Sequence, residues 1–229
     1  MKWTRYLFFF LTLSSLVSCI GEDIIDDQVD AAIKINNPLV SLAVGETYQF
    51  KATYTNNIGK EENKEFIWTS SDNSIVSIDN KGLATGIQTG EAILTVSTKE
   101  NPSLTTTTTT LQVTNETVVA NQSRKGTIVS TSSYALKGNF TLDAIPNENI
   151  VKLSISNDYS ASTALPGLYI YLTNNPNSIN GAYEIGPVTV FNGAHFYNLN
   201  DQEVQLNQYN YVLYWCKPFS VKVGEGKIN

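Results

Sequence analysis

Beyond its first 30 residues the chain is built from short alternating segments separated by turn signals, and no stretch carries a sustained helical period. That pattern constrains the fold more than any other feature. A period of two puts successive side chains on opposite faces of a strand, and turns roughly every 8–12 residues leave room only for short strands. Thr47 to Thr55 shows the alternation, with Tyr48, Phe50, Ala52 and Tyr54 on one face. Gly45-Glu46, Ser71-Asp72-Asn73 and Asn80-Lys81-Gly82 punctuate the segments. Phe66 to Ser70, Ile75 to Ile78, Leu83 to Gly86 and Ala92 to Thr98 supply further strands. Leu104, Leu111 and Val113 frame a threonine run (Thr105–Thr110) that reads as a last strand, or else as a stalk-like linker. The spacing predicts an all-β chain: a β-sandwich over residues 31–114, a polar linker at 115–123, and a second antiparallel β-sandwich or jelly-roll-like domain over 124–229. The 12 Tyr, 9 Phe and 3 Trp supply large groups for two cores.

The first residues follow a different logic. Lys2 and Arg5 give a positive start, and Tyr6 to Val17 form an apolar run too short for a comfortable membrane span. Residues 1–18 read as a signal peptide. Leu16-Val17-Ser18-Cys19 resembles the lipobox of bacterial lipoproteins, which implies a lipid-modified, fatty-acylated Cys19 and a tether over 19–30. An ordinary signal peptide with an incidental cysteine is the alternative. Ile20 in place of Asp leaves out the inner-membrane retention signal, so the resemblance implies an outer-membrane lipoprotein on the periplasmic or the cell-surface side. Glu22, Asp23, Asp26 and Asp27 resemble a surface-export signal and equally suit a solvated tether. Without Lys2 and Arg5, the 15 basic residues fall to 13 against 21 acidic ones. That balance excludes nucleic acid as a natural partner.

Two longer resemblances sit on the β segments. "LAVGETYQFKATYT", "FIWTSSDNSIVSIDNKGLATGIQTGEAILTVST" and "TTLQVT" resemble the bacterial Ig-like domain of group two. This implies an Ig-like sandwich with Trp68 in its core and a spacer or adhesion role. "YALKGNFTL", "PGLYIYL", "YEIG" and above all "YNYVLYWCKPFSVKVGEGKI" resemble the DM-thirteen domain over about 124–228. Leu165-Pro166-Gly167 departs from the usual Gly-Pro order of that family. The resemblance implies electron transfer or another redox role for Cys216.

Taken by residue chemistry, Cys216 has no intramolecular partner once Cys19 is lipidated, so dithiol exchange within one chain is excluded. A haem or metal thiolate, a sulfenic-acid-forming thiol, an intermolecular disulfide and a packed small hydrophobe all stay open. Strand parity places Tyr211, Leu213, Trp215, Phe219, Val221 and Val223 on the more apolar face. It places Val212, Tyr214 and Cys216 on the other, which predicts Cys216 at a pocket rim with Tyr214, Trp215 and Lys217 as neighbours. Pro218 is able to undo that count. His195 is the single histidine, and with Cys216 it makes no metal ligand set. No haem-attachment motif, zinc-protease motif or phosphate loop is present, and Asp143, Glu148 and Asp158 show no acid/base pairing. Hydrolase and transferase chemistry therefore find no site. Three functions stand: a redox module on Cys216 with a redox partner protein, an adhesion or ligand-binding surface protein without redox activity, and a purely structural envelope component.

Overall fold

The computed structural model describes residues 28–108, 110–119, 123–145 and 148–229. The expected signal peptide, Cys19 and most of the tether lie outside them. The described residues are strands and turns with a short 3-10 turn at Lys217–Phe219 and no α-helix.

The first domain holds thirteen short strands. They are β1 (Ala32–Ile35), β2 (Leu39–Ala43), β3 (Thr47–Gln49), β4 (Ala52–Thr55), β5 (Glu61–Glu62), β6 (Phe66–Ser70), β7 (Val76–Ile78), β8 (Leu83–Gly86), β9 (Gly90–Ala92), β10 (Leu94–Thr98), β11 (Thr105–Thr107), β12 (Leu111–Thr114) and β13 (Val118–Val119). Their pairing gives four small sheets in the orders β1-β4-β5, β11-β10-β6, β13-β2-β12-β9 and β3-β8-β7. β12 runs parallel to β2 and every other pair in this domain is antiparallel. Alternation does what the sequence demands in β10, where Leu94, Val96 and Thr98 point in and Thr95 and Ser97 lie nearer solvent. Leu39, Leu42, Phe50, Trp68, Val76, Leu94, Val96 and Leu111 form one core. Trp68 is 5% exposed and packs its ring 5.9 Å from that of Phe50.

The second domain comprises β14 (Ser123–Ser130), β15 (Leu136–Ile145), β16 (Ile150–Ile155), β17 (Ser160–Ala161), β18 (Leu168–Thr173), β19 (Tyr183–Pro187), β20 (His195–Asn200), β21 (Tyr211–Cys216) and β22 (Val221–Lys227). All nine belong to one antiparallel sheet in the order β19-β18-β21-β22-β14-β15-β16-β20, with β17 paired to β15 off that path. Ile128, Phe140, Leu153, Ile170, Leu199, Tyr214 and Val223 come from strands across the whole sheet yet share one core. A single sheet reaches one core from all its strands only by curling over its own inner face.

Polar side chains join the domains. Lys34 on β1 donates from Nζ to Asn174 Oδ1 (3.0 Å) and to the Gln208 carbonyl (3.2 Å). Asn175 Nδ2 donates to the Ile58 carbonyl at 3.1 Å and Asn207 Nδ2 to the Asn36 carbonyl at 3.0 Å. Gln208 Nε2 donates to Glu61 Oε1 at 2.9 Å. Gly59 sits with φ +78°, and a Cβ there would come within 2.8 Å of Asn175 Cβ. The turn is closed by a positive φ and a bare Cα at the point where the other domain presses on it.

Candidate functional site

Cys216 ends β21, where the chain breaks into the Lys217–Phe219 turn and re-enters the sheet at Val221. Its neighbour across the sheet is Leu168, which follows the Pro166-Gly167 turn. Gly167 takes φ +72°, and its missing Cβ leaves space for the Pro218 ring, which a side chain would meet at 2.9 Å. That turn places the Pro166 carbonyl 3.3 Å from the Cys216 thiol, which donates to it. Cys216 is 1% exposed and belongs to the main core.

This corrects the parity expectation. Val212, Tyr214 and Cys216 face the main core, whereas Leu213 and Trp215 face a second apolar cluster on the other side, with Tyr171, under Ile179 and Ala182. Both faces of β21 are covered, so apolarity does not say which is inside. A register shift at Tyr214/Trp215 and the 3-10 turn then break the count. Phe219 and Val221 emerge 66% and 48% exposed, and Val223 joins Cys216 in the main core.

Of the expected neighbours, only Tyr214 shares the face of Cys216. Lys217 turns outward and binds Glu184 bidentately, Nζ to Oε1 at 3.0 Å and to Oε2 at 2.8 Å. It also lies 4.6 Å above the Tyr169 ring. Its charge is spent on this surface pair, which raises the lysine pKa and lowers that of Glu184. Tyr171 donates to the same carboxylate at 2.9 Å. Tyr214 instead packs with Tyr159, ring centroids 6.1 Å apart. Burial raises both phenol pKa values, Tyr159 to about 12. Both hydroxyls are buried without a hydrogen-bond partner among the described residues. His195 stacks edge-on to Tyr159 at 4.9 Å and to Tyr197 at 5.6 Å. Its Nδ1 lies 3.0 Å from the Gly193 carbonyl, which makes Nδ1 the donor and leaves Nε2 as a covered acceptor. Tyr159 carries no motif in the sequence, and Glu184 lies within the YEIG string without a role of its own.

The donor set around Cys216 does not fit a haem or a metal. Sγ is enclosed by apolar chains and engaged by a carbonyl, and among the described residues no three His, Cys, Asp or Glu side chains stand together to hold a metal ion. The arrangement suits a packed thiol, which is protected from reagents by burial and lacks a positive neighbour to favour the thiolate. A native-state thiol titration is expected to find Cys216 unreactive until denaturant is added. Cys216→Ser keeps a donor for Pro166 but leaves a smaller, more polar group in the core, so its urea midpoint should fall by the equivalent of about 1–2 kcal/mol.

The first domain carries its own signature. Trp68 is buried beside Phe50, the Ser71–Ser74 turn is closed by Asp72 Oδ1 accepting from Ser74 N at 2.8 Å, and Asp79 Oδ1 caps the Lys81-Gly82 turn through Lys81 N and Leu83 N at 2.8 and 2.9 Å. The family model of the bacterial Ig-like domain (group 2) matches residues 31–108. An uncharacterized protein of Clostridium acetobutylicum is 32% identical over 88 residues, which is 37% of this chain and 21% of that protein. The chain thus spans about a fifth of that relative's length. The Ig-like domain points to a surface or adhesion-type protein. No helix among the described residues is long and apolar enough to cross a membrane.

Proposed function

We propose that this chain is a lipid-anchored envelope protein that acts at the cell surface as an adhesion or ligand-binding module. The Ig-like domain over residues 31–108 carries the reading. Anchoring at Cys19 in the outer membrane rests on the Leu16-Val17-Ser18-Cys19 sequence. The redox role of Cys216 rests on the DM-thirteen resemblance of 124–228 alone, and a thiol 1% exposed with its proton on a carbonyl favours binding without redox chemistry.

The test uses cells producing the full chain. Membrane fractionation and labelling of intact cells with an impermeant amine reagent should find it in the outer membrane and labelled. Cys19→Ala should release it from the membrane, and Cys216→Ser should leave surface labelling unchanged. A chain that fractionates as soluble, or that stays shielded from the reagent on intact cells, would overturn the reading.

A further inference from the structure

The two domains leave a cleft of about 680 Å³ between them, in the size range of small-ligand sites, which favour domain interfaces. Its first wall comes from the Ig-like domain and its second from the loop that carries Gln202, Glu203 and Gln205. In a chain with 21 acidic and 15 basic residues, the lining inverts the balance. Lys51, Lys64 and Lys81 line it against one carboxylate, Glu203. Glu203 is partly engaged already, since its Oε2 accepts from Tyr183 at 2.9 Å. Lys64 pairs with Glu62 at 3.6 Å. Lys51 and Lys81 are exposed, and among the described residues neither side-chain amine has an acceptor or a carboxylate partner. Two ammoniums on one wall of a concave site focus a positive field inside a protein of negative net charge.

The rest of the lining selects among anions. The half-buried Phe66 ring offers an apolar surface, and side-chain amides fill most of the remaining wall. Asn80 and Gln202, both exposed, present side-chain amides to the cleft from its two walls. An amide both donates and accepts, so it matches a hydroxyl, directly or through one water. Hydroxyls for the amides, an apolar ring face for Phe66 and carboxylates for the lysines belong together in a uronic-acid sugar. A nucleic acid, far longer than the cleft, would meet the repulsion of a chain whose net charge is −6.

Resting on the surface-binding reading above, we propose that the interdomain cleft binds an acidic oligosaccharide. Its carboxylates engage Lys51 and Lys81, and its hydroxyls face the side-chain amides of Asn80 and Gln202.

The experiment is titration calorimetry of the full chain, in detergent, with oligogalacturonate and with a neutral oligosaccharide of the same length. Oligogalacturonate should bind, and raising the salt concentration should weaken it. The neutral sugar should bind at least 10-fold more weakly. Lys51→Glu with Lys81→Glu should lower oligogalacturonate affinity at least 10-fold with an unchanged melting temperature, and Lys125→Glu, outside the cleft, should not alter it. Equal binding of the two sugars, no binding of oligogalacturonate, or binding untouched by the double reversal would each overturn the proposal. Intact-cell labelling of the same double variant separates the two ideas. A chain displayed on the surface that binds no uronate refutes the cleft alone, and a chain absent from the surface refutes the reading beneath it.

Discussion

Trp68→Ala is expected to destabilise the Ig-like domain by about 3–5 kcal/mol, the usual cost of deleting a large aromatic from a packed core. Trp68 is 5% exposed on β6 and pairs across the sheet with Val96 on β10. Its indole edge also lies against Gly82, where an added Cβ would come within 3.2 Å of Nε1 and Cε2. One side chain therefore ties β6, β10 and the turn before β8 to the Phe50 ring. Against a domain stability on the order of 5–15 kcal/mol, the loss takes about a fifth or more. In urea, the variant should show an early transition for the first domain and a later one for the second. The two are separable because their apolar cores are distinct clusters. A single transition at the wild-type midpoint would show that Trp68 is not the keystone of this core.

The second large effect concerns pH. Lys34 is largely buried at the junction of the domains, and its pKa falls from 10.5 to about 7. Desolvation is the main cause, the Arg124 guanidinium adds to it, and Glu61 partly opposes it. Arg124 is held nearby by the carbonyls of Leu206, Tyr209 and Ile228. The sign follows from proton binding. Between pH 7 and 10.5 the unfolded chain holds a proton on Lys34 that the folded chain has lost, so stability rises with pH across that window. Below about pH 7 both states are protonated and this contribution is flat at its lower level. At ~1.4 kcal/mol per tenfold change in proton affinity, the rise reaches several kcal/mol. Denaturation of wild type and Lys34→Met at matched pH values isolates it, because every other titrating group is common to both. The wild-type curve should climb relative to the variant from pH 7 to pH 10. Parallel curves would mean that the amine keeps its proton at the interface.

How much of this was legible in the sequence varies by feature. The strands of the first domain were legible because alternation and Asx-type turns at Asp72 and Asp79 are local signals, and Trp68 fell in the core as the Ig-like resemblance implied. The inner face of β21 was not legible. Tyr171, Leu213 and Trp215 build a second apolar cluster on its outer side, so the more apolar parity is not the one that faces the main core, and a register shift and a 3-10 turn lie inside the stretch over which parity was counted. The domain junction left no trace either. Lys34, Asn174, Asn175 and Gln208 carry no local signal of an interface, and only the tertiary fold brings Lys34 on β1 to a carbonyl 174 residues away. Polar interfaces of this kind lack the periodicity that marks apolar ones.

The position of β22 has a consequence for how the second domain is made. β22 lies between β21 and β14, near the middle of the sheet. Within the sheet, the β18–β19–β21 half and the β14–β15–β16–β20 half are hydrogen-bonded to each other through that strand. It is also the last strand of the domain to be synthesised, so the two halves emerge first as separate sheets with facing unpaired edges. Their union waits for residues 221–227. A nascent chain in that interval presents two open hydrogen-bonding edges to its neighbours. The window of aggregation risk therefore closes late in folding, when β22 inserts as the seam.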